Sequence, residues 1–127
     1  MVDALLLVRL PYHLSVVTQA VALAALRHSA ELLSCVGRIR DDRDELVRNL
    51  RSLGLTVPDS DANFVLFGRF ADRRAVWQSL LDRGVLIREV GPPEWLRVSI
   101  GTPAETATFL SELKGVLHDG AATVRRS

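Results

Sequence analysis

The sequence predicts an α+β fold: two long N-terminal helices, then a β-β-α-β-β-α unit whose small sheet is covered by helices on one face. Three observations predict it. Residues 15–53 carry apolar side chains at helical spacing. After Gly54 the pattern changes to short runs rich in β-branched and aromatic residues, clearest in Asn63–Phe67 and Trp95–Ile100. Two further helical stretches follow the second and fourth of these runs, each with a capping residue at its start.

Taken in order, Asp3–Arg9 is helix-like and Pro11 ends it, because proline lacks the backbone donor and holds Leu10 extended. Ser15 is placed to cap a helix running to about Leu33. Val16, Val17, Ala20, Val21, Leu23, Ala24 and Leu26 surround that helix almost completely. A helix with no polar face is normally buried by something else, so a covering surface is expected. The next helix runs from about Val36 to Leu53, with Val36, Ile39, Leu46, Val47, Leu50 and Leu53 as its apolar stripe and Gly54 in the left-handed position after it. Cys35–Gly37 is compatible with either a break or a continuous helix.

Leu55–Val57 is a short strand stopped by Pro58, and Asn63–Phe67 is a second. Asp72 caps a helix reaching Arg83, with Val76, Trp77, Leu80 and Leu81 inward and Gly84 closing it. Val85–Arg88 is the third strand. Gly91-Pro92-Pro93 turns the chain into Trp95–Ile100, where Leu96, Val98 and Ile100 alternate with Arg97 and Ser99. Thr102-Pro103-Ala104-Glu105 has the form of a capping box with proline in the first turn, opening a helix on Phe109, Leu110, Leu113, Val116 and Leu117. Residues 119–127 are expected to be a flexible tail.

Composition narrows the classes. A length of 127 residues suits one domain and is short for a two-domain cofactor enzyme. With 16 basic and 15 acidic residues the formal charge is +1, which gives no electrostatic case for nucleic acid or an anionic membrane as partner. The single cysteine, Cys35, can form no internal disulfide and is expected to be a small buried residue, in keeping with a reducing, cytoplasmic setting. No secretory signal is expected, since Asp3 stands where a basic segment belongs, and Leu14–Leu26 is too short to span a bilayer.

Most motifs that announce chemistry are missing: no glycine-rich phosphate loop, no HExxH, no CxxC and no GxSxG. His13, His28 and His118 fall in separate elements, and Asp41, Asp42 and Asp44 read as a solvated helix face flanked by arginines. Two arginines differ from the rest. Arg88 closes a Val-Leu-Ile strand, and Arg97 sits inside a strand between Leu96 and Val98. Each can lie on the solvent face of the sheet or stack on Trp95. Alternatively, a guanidinium on a rigid strand offers a planar fork for a carboxylate or phosphate, and two on neighbouring strands suit a substrate with two anionic ends.

Four segments occur in order: Pro11-Tyr12-His13-Leu14-Ser15, Ala62-Asn63-Phe64-Val65-Leu66-Phe67, Gly84-Val85-Leu86-Ile87-Arg88 and Leu96-Arg97-Val98-Ser99-Ile100-Gly101-Thr102-Pro103. Together they resemble the C-terminal part of histidinol-phosphate aminotransferases, within the fold-type-I pyridoxal-phosphate enzymes, over roughly Asp3 to Leu117. The resemblance implies that Arg97 holds the α-carboxylate of the substrate and that Arg88 helps to hold its phosphate, with Asn63 and Tyr12 at motif positions near the active site. It also implies an interdomain helical segment over residues 1–35 and a small α+β domain over residues 36–118. A small-molecule substrate, histidine biosynthesis and a homo-oligomer are implied with it.

In that family the lysine that forms an imine with pyridoxal phosphate belongs to a preceding large domain. Fifteen of the 16 basic residues here are arginine, and the single lysine, Lys114, lies on the last helix opposite the Phe109–Leu110–Leu113 face. The chain alone is therefore expected to hold no pyridoxal phosphate, to carry no catalytic residue and to be inactive. The competing expectations are a stand-alone anion- or ligand-binding module without catalysis, and a module whose apolar Ser15–Leu33 helix drives oligomerisation.

Overall fold

A computed structural model describes residues 14–119. The Asp3–Arg9 helix, Tyr12 and the tail beyond Asp119 lie outside the described residues. Contacts divide the chain into two compact units, Met1–Cys35 and Val36–Ser127.

Helix α1 (Val16–Arg27) begins where the Ser15 hydroxyl accepts the backbone N–H of Thr18 at 3.0 Å. It stops earlier than the Leu33 predicted from its apolar run. The polar triplet Arg27-His28-Ser29 interrupts the run: the His28 N–H closes α1 on the carbonyl of Ala25 (2.9 Å), and the His28 carbonyl accepts from Leu32 at 3.0 Å. Helix α2 (Ser29–Ser52) then continues through Cys35–Gly37 without a break. No residue of α1 is buried, and Val16 is 81% and Leu26 68% exposed. Cys35 is half-buried rather than buried. Along α2 the apolar stripe is covered only in its second half, where Leu46 and Leu50 are buried while Val36 and Ile39 stay exposed. Among the described residues no single helix is long and apolar enough to cross a membrane.

The second unit holds the core. Strands β1 (Phe64–Gly68) and β2 (Trp95–Ser99) pair antiparallel, with Val65 opposite Val98, Leu66 opposite Arg97 and Phe67 opposite Leu96. Because strand side chains alternate, Val65, Phe67, Leu96 and Val98 all face inward and all are buried. Helix α3 (Arg73–Asp82) contributes Val76 and Leu80 to this core, and helix α4 (Pro103–His118) contributes Phe109, Leu113 and Val116. Phe67 sits at the centre, its ring edge-to-face with Phe70 (5.8 Å) and with Phe109 (5.6 Å). Phe70 reaches the core from a polar loop because Gly68 and Arg69 turn the chain with positive φ, and the N–H groups of Arg69 and Phe70 both donate to the Glu94 carbonyl at 3.0 Å. Gly68 is required there: a Cβ would lie 2.5 Å from the Glu94 oxygen.

The other two predicted strands are present only as single bridges. Thr56 pairs with Gly68 beside β1, and Arg88 pairs with Arg97 beside β2. The missing ladder bonds have gone elsewhere. Arg51 takes the Val57 carbonyl at 2.7 Å, the Val85 N–H closes α3 on Leu80 at 2.9 Å, and the indole N–H of Trp77 takes the Ile87 carbonyl at 2.9 Å. The α+β class and the order of elements are those predicted.

At the start of α4 the capping box is complete. The Thr102 hydroxyl accepts from the Glu105 N–H at 3.3 Å, and Glu105 Oε2 accepts from the Thr102 N–H at 2.7 Å and from its hydroxyl at 2.8 Å. These bonds, the backbone one first, hold the Glu105 carboxyl below the ordinary glutamate value. A lowered folded-state pKa means that the contribution is present above the ordinary value and lost as the pH falls through the folded one.

Three outcomes are expected. Truncation of Phe67 to alanine removes the ring that joins Phe70 and Phe109 and should lower stability by about 3–5 kcal/mol in denaturant titration. Leu86→Ala, at a position 76% exposed, should change it by less than about 0.5 kcal/mol. Thr102→Ala removes the hydroxyl but keeps the backbone N–H, so it should move the Glu105 carboxyl only part of the way towards its ordinary pKa in an NMR titration; an unmoved titration would show that the hydroxyl bond does not hold it.

Candidate substrate-anion site

The direction of each side chain around β2 follows from the pleat. With Leu96 and Val98 turned into the core, Trp95, Arg97 and Ser99 face the other way, as do Phe64 and Leu66 on β1. Arg88 and Arg97 exchange both backbone hydrogen bonds, each 3.0 Å from N to O, so they stand directly opposite and their side chains leave on this same outer face. Like charges placed opposite one another weaken a sheet. Two arginines at directly opposed positions leave positive charge on this face that an anion would offset.

Arg97 is half-buried, with its Cζ 4.7 Å from the centre of the Phe64 ring. The cation rests on Phe64, diagonal to it across the ladder, and not on Trp95. The stacking leaves its Nε buried without a hydrogen-bond partner among the described residues. An unpaired buried donor on a charged group is costly, and a carboxylate oxygen is the acceptor that suits it best. Arg88 is exposed, and no described acidic side chain pairs with it.

Both arginines line a cleft of about 850 Å³ at the free edge of β2, where the Val85–Val90 segment and the chain from Ser99 to the first turns of α4 diverge. Ser99, Thr106 and Thr108 bring hydroxyls to its wall, Glu89 and Glu105 bring carboxylates, and Trp77 and Phe109 form apolar wall. Neither acid is at liberty to neutralise the arginines. Glu105 is engaged in the capping box, and Glu89 is held by Arg74 at 2.5 Å and by Arg73 at 3.6 Å. The cleft thus has a cationic outer wall and an apolar inner one, a combination suited to a small organic molecule bearing anionic ends.

Of the four residues named from the sequence, the structure brings Arg88 and Arg97 together. Asn63 is exposed just before β1 and does not line the cleft; its backbone carbonyl accepts from the Ile100 N–H at 2.9 Å. Tyr12 lies outside the described residues. Trp77 and Glu89 gave little sign of themselves in the sequence. The one available signal was a tryptophan at an inward helix position, whose indole N–H must find a partner when half-buried.

Pyridoxal phosphate binds its family through an amine that condenses with the aldehyde. Lys114, the one lysine of the sequence, is exposed on α4 and does not line the cleft. The residues of the cleft therefore offer that cofactor no amine to condense with.

Comparison with known proteins gives the same direction. The sequence pattern described as aminotransferase class I and II matches residues 1–113. A protein of Thermobifida fusca named histidinol-phosphate aminotransferase is 70% identical over 112 residues, covering 88% of this chain and 30% of the relative. Histidinol-phosphate aminotransferase 3 of Burkholderia lata is 63% identical over 116 residues, covering 91% of this chain and 31% of the relative. The chain thus spans about 30% of the length of the curated relatives it matches. A crystal structure from Erwinia carotovora atroseptica, described as that enzyme type, superposes with a TM-score of 0.71 at 27% identity, over 79% of this chain and 30% of the other. With the match running through almost the whole described fold, the chain belongs to the class I and II aminotransferase family.

Proposed function

We propose that the chain is the C-terminal portion of a cytoplasmic histidinol-phosphate aminotransferase and supplies the part of the active site that grips the anionic ends of its substrates. The observation that carries the reading is the Arg88–Arg97 bridge, which sets two guanidinium groups on one face of the sheet with the Arg97 Nε buried and unpartnered among the described residues. Arg97 is assigned to the α-carboxylate of glutamate, because a half-buried fork stacked on Phe64 is rigid enough to fix a planar, singly charged group. Arg88 is assigned to the phosphate, because an exposed cation at the mouth of a cleft suits a larger, doubly charged group that keeps part of its hydration. Asn63 and Tyr12 are assigned to the site by motif position alone.

In the whole protein the reaction exchanges an amino group for a keto oxygen between histidinol phosphate or glutamate and their keto partners, and pyridoxal phosphate, when bound, supplies the electron sink. This chain contributes binding and orientation. Glutamate brings the carboxylate and histidinol phosphate the phosphate, so each is held by its own anionic end, and holding it turns a bimolecular encounter into a fixed geometry, which is where a large share of enzymatic rate comes from. Alone, the chain is read as inactive, since its lysine is remote from the cleft. The exposed apolar surface of α1 is read as surface that the rest of a family-length polypeptide covers, within a homo-oligomer.

A second reading, an anion-binding module without catalysis, is favoured by the same lysine-free cleft. One experiment separates the two. This chain replaces the corresponding 112 residues of the Thermobifida fusca relative, and transamination of histidinol phosphate is measured. The chimera should be active. Arg97→Ala should lower kcat/KM for glutamate about a hundredfold, a loss of about 3 kcal/mol. Arg88→Ala should raise KM for the phosphorylated amine and leave amines without phosphate unaffected. A chimera that folds and takes up pyridoxal phosphate yet does not transaminate would sink the aminotransferase reading.

The uncovered α1 generates its own expectation. In sedimentation equilibrium the 127-residue chain should self-associate as its concentration rises. A clean monomer throughout would show that α1 needs no covering surface.

A further inference from the structure

Arg88 sits on a segment that ought to be loose. Its ladder is a single bridge, Gly84 precedes it, and Gly91-Pro92-Pro93 follows it. Three contacts from α3 hold the segment instead. The Trp77 indole N–H donates to the carbonyl of Ile87, the residue before Arg88, at 2.9 Å. The carboxylate of Glu89, the residue after it, is paired with Arg74 and lies 3.6 Å from Arg73. Arg73 also donates to the Pro92 carbonyl at 3.0 Å, and the Arg74 guanidinium lies 4.7 Å above the Trp77 ring, so the contacts form one connected set.

We propose that Trp77 and Glu89 are positioning residues that fix the backbone on either side of Arg88 and so determine how well the cleft holds a phosphate. The proposal rests on the reading that Arg88 is the phosphate contact. Geometry gives the reason. Successive residues of an extended segment point to opposite faces, so anchoring Ile87 and Glu89 towards α3 turns Arg88 outward, onto the face it shares with Arg97. The clamp also keeps the only carboxylate adjacent in sequence to Arg88 engaged with two other arginines. Glu89 is the more informative of the two, since its side chain is only 20% exposed although it carries charge and lines a cleft meant for anions. An acid at that place works against anion binding unless its charge is spent, and Arg73 and Arg74 spend it. A guanidinium loses less freedom on binding when its backbone is already fixed, which is how such an anchor raises affinity without touching the ligand.

The test uses the 127-residue chain, with inorganic phosphate and acetate as separate probes and the Nε–Hε NMR signals of Arg88 and Arg97 as readouts. The Trp77→Phe/Glu89→Gln double variant keeps the ring and the approximate shape but loses the indole donor and the carboxylate charge. It should weaken phosphate binding at Arg88 about fivefold to twentyfold, while acetate binding at Arg97 stays within about twofold of wild type. Glu89→Gln alone should show the same selectivity and serves if the double variant does not fold. If Arg88→Ala abolishes phosphate binding but the positioning variants bind phosphate like wild type, the proposal is overturned and the phosphate role of Arg88 stands. If phosphate leaves the wild-type Arg88 signal unmoved, the phosphate role fails and the proposal falls with it.

Discussion

The pairing of Leu66 with Arg97 in the β1–β2 ladder sets the direction of every side chain in the cleft. A strand has a period of two, so once Val65, Phe67, Leu96 and Val98 are committed to the core, Arg97 has one face left to it. A slip of one residue would put Arg97 among Phe70, Val76 and Phe109 and would expose Leu96 and Val98. That alternative is far too costly to populate, because an unpaired buried charge is among the most unfavourable substitutions a core can suffer. The hydrophobic core thus acts as the register device of the site. Arg88 inherits its direction by exchanging both backbone bonds with Arg97.

The site is built at some cost to stability. Two cations stand opposite each other, a guanidinium Nε is buried without a partner among the described residues, and the segment bearing Arg88 has one bridge where a ladder could have been. A sequence selected for stability alone would place an acid or a threonine opposite Arg97. Places where local rules are broken in a well-formed fold are where function is most economically sought. Here the broken rules converge on one edge of the sheet, whereas α4 obeys every rule of capping and burial.

Much of this was legible in the sequence, and the exceptions share a cause. The caps at Ser15, Asp72 and Thr102 are local, depending on residues within three or four positions, and they form as read. The alternation of Trp95–Ile100 is local too, and it placed Arg97 outward. Tertiary competition was not legible. Leu55–Val57 and Val85–Arg88 have strand-like composition, yet Arg51, Leu80 and Trp77 claim backbone groups that a ladder would have used. Arg97 stacks on Phe64 instead of Trp95 because a diagonal neighbour across the ladder is set by register, which no single strand reveals. The early end of α1 could have been read from Arg27-His28-Ser29. The core role of Phe70 could not, since a lone aromatic in a polar loop gives no period to follow.

The separation between the two arginines of the cleft and the sole lysine bears on how a whole enzyme would divide its labour. On the proposed reading, this portion holds the anionic end of each substrate, carboxylate or phosphate, which does not react. Interactions with non-reacting groups accelerate a reaction only when they are spent on orientation, so that they strengthen as the transition state is reached. The stiffness of the clamp therefore matters as much as its charge. Arg97 is stiffened by the ladder and by Phe64, and Arg88 by its bridge and the contacts from α3. On that reading, an amine lacking the phosphate would be slower to react as well as weaker to bind, because the fixed point that Arg88 supplies would be gone. On the proposed reading, selectivity for a phosphorylated amine over a similar one without phosphate would arise from the rigidity of a single short segment beside β2.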